Sequence, residues 1–174
     1  MRVLSNKSRE KGAVLVVSML LLMVMILLGL TAMQMTRMEE RMAGNTRDGN
    51  LAFQGAEAGL RNAEDWIRLL PERPEPCASA PCTLVWERDD LPEDLRGQSL
   101  AWWQSNGREF GVPAVTEMAE LAREPIFVVN EMQFVPDDLD VDPSGRDFYR
   151  ISASSSGATA TAQSVLESAY ARRF

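Results

Sequence analysis

From Ala13 to Met33 the chain carries no charge for twenty-one residues, and only Ser18, Gly29 and Thr31 interrupt its apolar character. A helix rises about 1.5 Å per residue, so this run covers roughly 31 Å, the thickness of one hydrocarbon core. It is long enough to span a bilayer. Upstream lie Arg2, Lys7, Arg9 and Lys11 with the single acid Glu10. A lysine and arginine excess of that kind is retained on the cytoplasmic side, so everything after Met33 is expected to be exported.

Three readings compete for such an amino terminus. A secretory signal would have an apolar region of roughly 7 to 15 residues ending at a small-residue cleavage site. No such site follows this run before Ala43, and the run is too long. A plain signal anchor accounts for length and orientation but gives Gly12 no role. The third reading places a cut before the apolar run, between Gly12 and Ala13, so that the hydrophobic segment opens the mature chain.

That arrangement resembles the type IV prepilin pattern. Arg9-Glu10-Lys11-Gly12-Ala13-Val14-Leu15-Val16-Val17-Ser18-Met19-Leu20-Leu21-Leu22 looks like the amino terminus of the PilX family of minor pilins. The likeness continues through Met38-Glu39-Glu40-Arg41-Met42-Ala43-Gly44-Asn45, Arg47-Asp48 and Ala52-Phe53-Gln54-Gly55-Ala56-Glu57-Ala58. Weaker echoes occur in Pro125-Ile126-Phe127-Val128-Val129-Asn130-Glu131, in Phe148-Tyr149-Arg150-Ile151 and around Gln163-Ser164-Val165.

The resemblance implies a prepilin cut by a membrane peptidase at Gly12-Ala13, methylated at its new terminus and assembled into a pilus that serves adhesion and twitching motility. It implies partnership with other minor pilins and the major pilin, with a tip adhesin as a further candidate. Most pilins resemble one another in having glutamate as the fifth mature residue, implied to pair with the terminal amine of the subunit ahead. Here that position is Val17. The departure implies a place at or very near the pilus tip, in a priming complex, because a subunit without the acid is poorly suited to add behind another. Tolerance of Val17 along the shaft is the competing reading.

The chain holds 18 basic and 25 acidic residues, of which the leader takes four and one, so the mature part carries 14 against 24 and a net charge of −10. Nucleic acid is therefore not an expected partner. Histidine is absent, and both lysines, Lys7 and Lys11, lie in the leader. With no G-x-S-x-G elbow and no phosphate-cradling glycine loop after a strand, catalysis is rejected and no cofactor is expected. The serines at 152 and 154 to 156 are read as strand and turn residues.

Cys77 and Cys82 flank four residues, and in an exported domain they read most simply as one disulfide closing a short loop, against a free or intermolecular pair. A metal site would need further ligands. Asp138, Asp140 and Asp142 alternate as carboxylates do in calcium loops, but counting from Asp138 the sixth and twelfth positions hold Pro143 and Tyr149 rather than glycine and glutamate. A solvated acidic turn is the expectation, with calcium as a minor alternative.

No proline occurs between Ala13 and Leu70, so the helix is expected to continue beyond the bilayer, in contrast to the many pilins with a proline in its first half. Phe53, Ala56, Leu60, Ala63, Ile67 and Leu70 recur at spacings of three and four and form one apolar face, and Pro71 ends the helix. Gly44 and Gly49 mark a weak point, read either as a hinge or as sites of close helix packing. Residues 87–124 form an expected insertion. Its adjacent Trp102 and Trp103 cannot both face one core from a regular element, which leaves an interface role for one of them beside burial of both. A short strand is expected from Thr83 to Trp86. After Pro125 alternating patterns predict strands near 126–134, 148–154 and 159–171, an antiparallel meander that the amphipathic helix covers.

The expected architecture is thus α+β with a type IV pilin fold: a leader (1–12), a transmembrane half-helix (13–35), an exported amphipathic half (36–70) and a globular part (71–174). The last contains the insertion and a meander (125–171) within an antiparallel sheet of three to four strands. The expected function is a minor pilin that helps initiate type IV pilus assembly, first held in the inner membrane and then displayed outside the cell. The alternatives are a pseudopilin of a type II secretion system and a non-polymerising, inner-membrane-anchored periplasmic binding protein.

Overall fold

A computed structural model describes residues 10–77, 79–111, 120–137 and 145–174, with side chains from Ala13 onward. The chain divides into two compact units, Met1–Gly44 and Asn45–Phe174. One helix, α1 (Glu10–Leu69), supplies the described part of the first unit and opens the second.

From Ala13 to Met33 the helix is apolar on every side, and every side chain of this stretch is exposed among the described residues. Its few polar groups are met within the helix. Ser18 Oγ donates to the Leu15 carbonyl and Thr31 Oγ1 to that of Leu28, both at 2.9 Å. Such back-bonding leaves neither hydroxyl unpaired in a medium without water.

The second unit is built on a mixed sheet. Three long strands, β4 (Ile126–Pro136), β5 (Gly145–Ser156) and β6 (Gln163–Arg172), run antiparallel, with Val129 opposite Ile151 and Ile151 opposite Ser168. The ladder between β4 and β5 slips once, between Glu131 and Gln133. Three two-residue strands complete the sheet: β1 (Pro76–Cys77), β2 (Val85–Trp86) and β3 (Arg108–Glu109). β1 and β2 are parallel, β2 is parallel to β4, and β3 is antiparallel to β4. The sheet therefore exceeds the expected antiparallel meander by a parallel corner. That corner is made where the bridge between Cys77 and Cys82, with Cα atoms 6.1 Å apart, folds the chain back before β2.

Residues 52–69 of α1 cover one face of the sheet. Ala63, Trp66 and Ile67 are buried against Val85, Phe127, Val129, Tyr149, Ile151 and Ala153. The buried stripe starts one residue earlier than the spacing of large apolar residues predicts: Ala52 and Ala56 are buried, whereas Phe53 is 50 % exposed. Small residues win because the backbones lie close. A Cβ on Gly59 would sit 3.2 Å from the Cβ atoms of Ala153 and Pro125, and one on Gly55 would overlap the Ser155 hydroxyl. Arg172 caps the helix end by donating to the Leu70 carbonyl at 2.5 Å.

The opposite face is not solvated, as a two-layer reading would have it. Trp86, Leu91, Leu95 and Trp103 pack on Ile126 and Val128, so the insertion supplies a second core. It contains the short helix α2 (Leu100–Asn106), whose cap Ser99 accepts from the Trp102 amide at 3.2 Å. Both tryptophans of α2 join that core. Trp103 is 1 % exposed, and Trp102 stacks on Trp86 with ring centres 6.3 Å apart while meeting Trp103 edge to face at 5.5 Å. Two adjacent indoles share one core here because helix α2 is two turns long and Trp86 reaches out to meet the outer ring.

Candidate functional site

The residues singled out by sequence fall into three groups. Gly12 lies inside the first turns of α1, and Ala13 and Val17 lie on its uncovered apolar part, Val17 being 55 % exposed. No acid occurs between Ala13 and Met38. Among the described residues nothing buries this surface, and a helix that is apolar on every side is stable only in lipid or among other helices. By length and composition it can cross a membrane.

Gly44 and Gly49 form the second group. The helix runs unbroken through both, and neither has a neighbour within 4 Å of where a Cβ would stand. Among the described residues no packing requires glycine at either position. The third group, Cys77 and Cys82, is joined, and both sulfurs lie against the Val85 carbonyl at 3.3 and 3.5 Å. The calcium alternative, Asp138, Asp140 and Asp142, lies outside the described residues. Among the described residues no cluster of three acids or cysteines could hold a metal ion.

Two features of the second unit are not visible in the sequence pattern. Asp48, near the start of the unit, accepts from the Thr159 backbone N–H at 3.0 Å and from the Thr159 hydroxyl. The hydroxyl bond, then the backbone bond, hold its pKa below the ordinary aspartate value. Gly157 must lack a side chain for this contact, since a Cβ there would overlap Asp48. The partners are 111 residues apart, so no local signal could have joined them.

The second feature ties the connector after α1 to the sheet. Arg73 pairs with Glu131 and, at 3.1 Å, with Asp147, while lying 5.7 Å from the centre of the Phe134 ring. Asp147 is buried, and this burial raises its pKa against the opposing pull of Arg73. The Tyr149 hydroxyl beside it is also raised, chiefly by burial and then by the Asp147 charge. These groups hold segments together. They show no nucleophile paired with a base.

A long helix whose apolar first part lacks cover and whose second part lies on a strand meander defines a pilin-like α+β protein. Residues 11–61 match the family model described as PilX N-terminal, so the amino-terminal part of the chain is similar to that of PilX-family type IV pilus pilins. Pilins of this family are structural rather than catalytic and associate with other pilus components. No curated protein and no solved structure matches the chain.

Proposed function

We propose that this pilin helps to initiate type IV pilus assembly, as a minor component of a priming complex at the fibre tip. The observation that carries the reading is Val17, an uncharged, exposed side chain on a stretch of helix with no acid between Ala13 and Met38. Cleavage before Ala13 would create an amine at the edge of lipid, and an unpaired charge there is costly. A subunit with no acid to meet the amine ahead escapes that cost if nothing lies ahead of it. Its own amine can still be met by the next subunit. The basic leader supports a cytoplasmic start and an exported second unit, and Gly12 supplies the small residue that a peptidase at the lipid boundary requires.

Immunogold labelling of intact pili tests the position. Label confined to fibre ends is expected, with few copies per fibre, and regular labelling along the shaft refutes the tip reading. Deletion should lower the number of pili, whereas an occasional shaft component would leave that number almost unchanged.

A further inference from the structure

The two long edges of the sheet differ. On the outer side of β4 the short strands β2 and β3 both pair, whereas β6 is the last strand and pairs with β5 alone among the described residues. Alternate residues of β6 therefore direct N–H and C=O groups away from the sheet along ten residues. Such an edge is usually blunted by lysine, proline or a bulge. The strand Gln-Ser-Val-Leu-Glu-Ser-Ala-Tyr-Ala-Arg has no lysine, proline or bulge and is charged only at Glu167 and Arg172, and its register with β5 is continuous from Gln163 to Arg172. Beside its first half, Arg96 and Val165 line one shallow groove, and Glu93, Asp94 and Glu167 line a neighbouring one.

We propose that β6 receives one extended strand from a different exported chain, in which apolar residues alternate with lysine or arginine. The apolar positions follow from Leu166 and Tyr170, which share the helix face of β6 and which the parent fold leaves half-buried. The basic positions follow from charge. Glu93, Asp94 and Glu167 flank the edge on one face, and Glu64 stands on the helix face where Ser168 donates to it at 3.1 Å. Against the three acids of the first face stands Arg96, while Arg172 lies at the far end, so the basic residues of the partner belong on that first face. A second copy of this chain would bring the same acids to the same seam, where like charges across a strand pair are unfavourable. A basic strand neutralises them while completing the ladder. The site requires an exported second unit and a neighbouring chain, and it stands whether that neighbour is met at the tip or elsewhere.

Amide exchange on the full-length chain in detergent micelles tests the edge directly. Alternate amides between Ser164 and Ala171 should exchange fast in the free protein. A ten-residue peptide of alternating valine and lysine should slow them by at least about tenfold, and one of alternating valine and glutamate should do so much less. Glu167→Lys, an exposed substitution that should leave the melting temperature unchanged, should reverse the preference between the two peptides. Slow exchange in the free chain, equal protection by both peptides, or protection that grows with protein concentration alone would each overturn the proposal. In cells, a photo-crosslinking residue at Ala169 should join a basic extended segment of another exported chain. No adduct, or an adduct with a second copy, would count against it. Shaft labelling of the pilus would change none of these outcomes, so the tip reading and this one fail separately.

Discussion

Asp48 and Asp147 are both aspartates of the second unit, and their surroundings move them in opposite directions. The hydrogen bonds from Thr159 favour the Asp48 carboxylate, so its pKa is lower folded than unfolded. Its contribution to stability is complete above the ordinary aspartate value, about 4, and is lost as pH falls through the lower folded value. Asp147 is raised by burial, so its charge costs the fold at neutral pH and protonation relieves part of that cost. Asp48→Ala should therefore lower the melting temperature at neutral pH and converge with the parent chain in strong acid. Melting curves from about pH 7 to about pH 2 check this, and parallel curves at all pH values would sink the assignment. Nothing around Asp48 in the sequence announces the contact, because its partner is set by the turn after β5 and by the bare backbone of Gly157.

Among the elements, the exported part of α1 carries the most decisive contrast. Ile67 is fully buried in the first core, whereas Phe53 is half exposed on the same helix. Ile67→Ala should cost roughly 2 to 5 kcal/mol and Phe53→Ala within about 0.5 kcal/mol, read by urea unfolding of the exported unit. Equal losses would return Phe53 to the core. Replacing both Cys77 and Cys82 with serine should weaken folding by at most about 2 to 3 kcal/mol, because the closed loop is short. Loss of the folded state would show that the parallel corner depends on the bridge. The long strands were legible because Ile126 to Phe134 and Phe148 to Ser154 alternate over enough residues to declare a period of two. β2 falls within the short strand expected from Thr83 to Trp86, whereas β1 and β3, of two residues each, are too short for any period and their pairing is decided by the loop and by β4. Phe53 misled the register because size was weighed above closeness. Gly55 and Gly59 were the available signal that small residues face the sheet. The second core was illegible for a similar reason: the residues that cover Ile126 and Val128 come from a stretch whose glycines and charges hide its apolar anchors.

At the scale of the whole molecule, a 60-residue helix belongs to two environments, one without cover in its own chain and one folded onto a sheet. Maturation should define where the first begins. Intact-mass and terminal sequencing should find a chain starting at Ala13, and Gly12→Leu should leave it uncut in the membrane and absent from sheared pili. A mature chain starting at Met1 or after Ala43 would remove the basis of the pilus reading. The stronger test restores the missing charge. Val17→Glu places a carboxylate one turn into the mature helix, where it can meet the amine of a subunit ahead, so the variant should enter the shaft. The exchange leaves the exported unit untouched, since Val17 lies outside it and is uncovered by the chain. An isolated buried acid would be as costly as an isolated amine, but a pair satisfies both groups, so the gain appears only on assembly. Copies per fibre should rise and immunogold label should spread from the ends along the length. Unchanged tip labelling would show that something other than position 17 holds this chain at the end of the fibre.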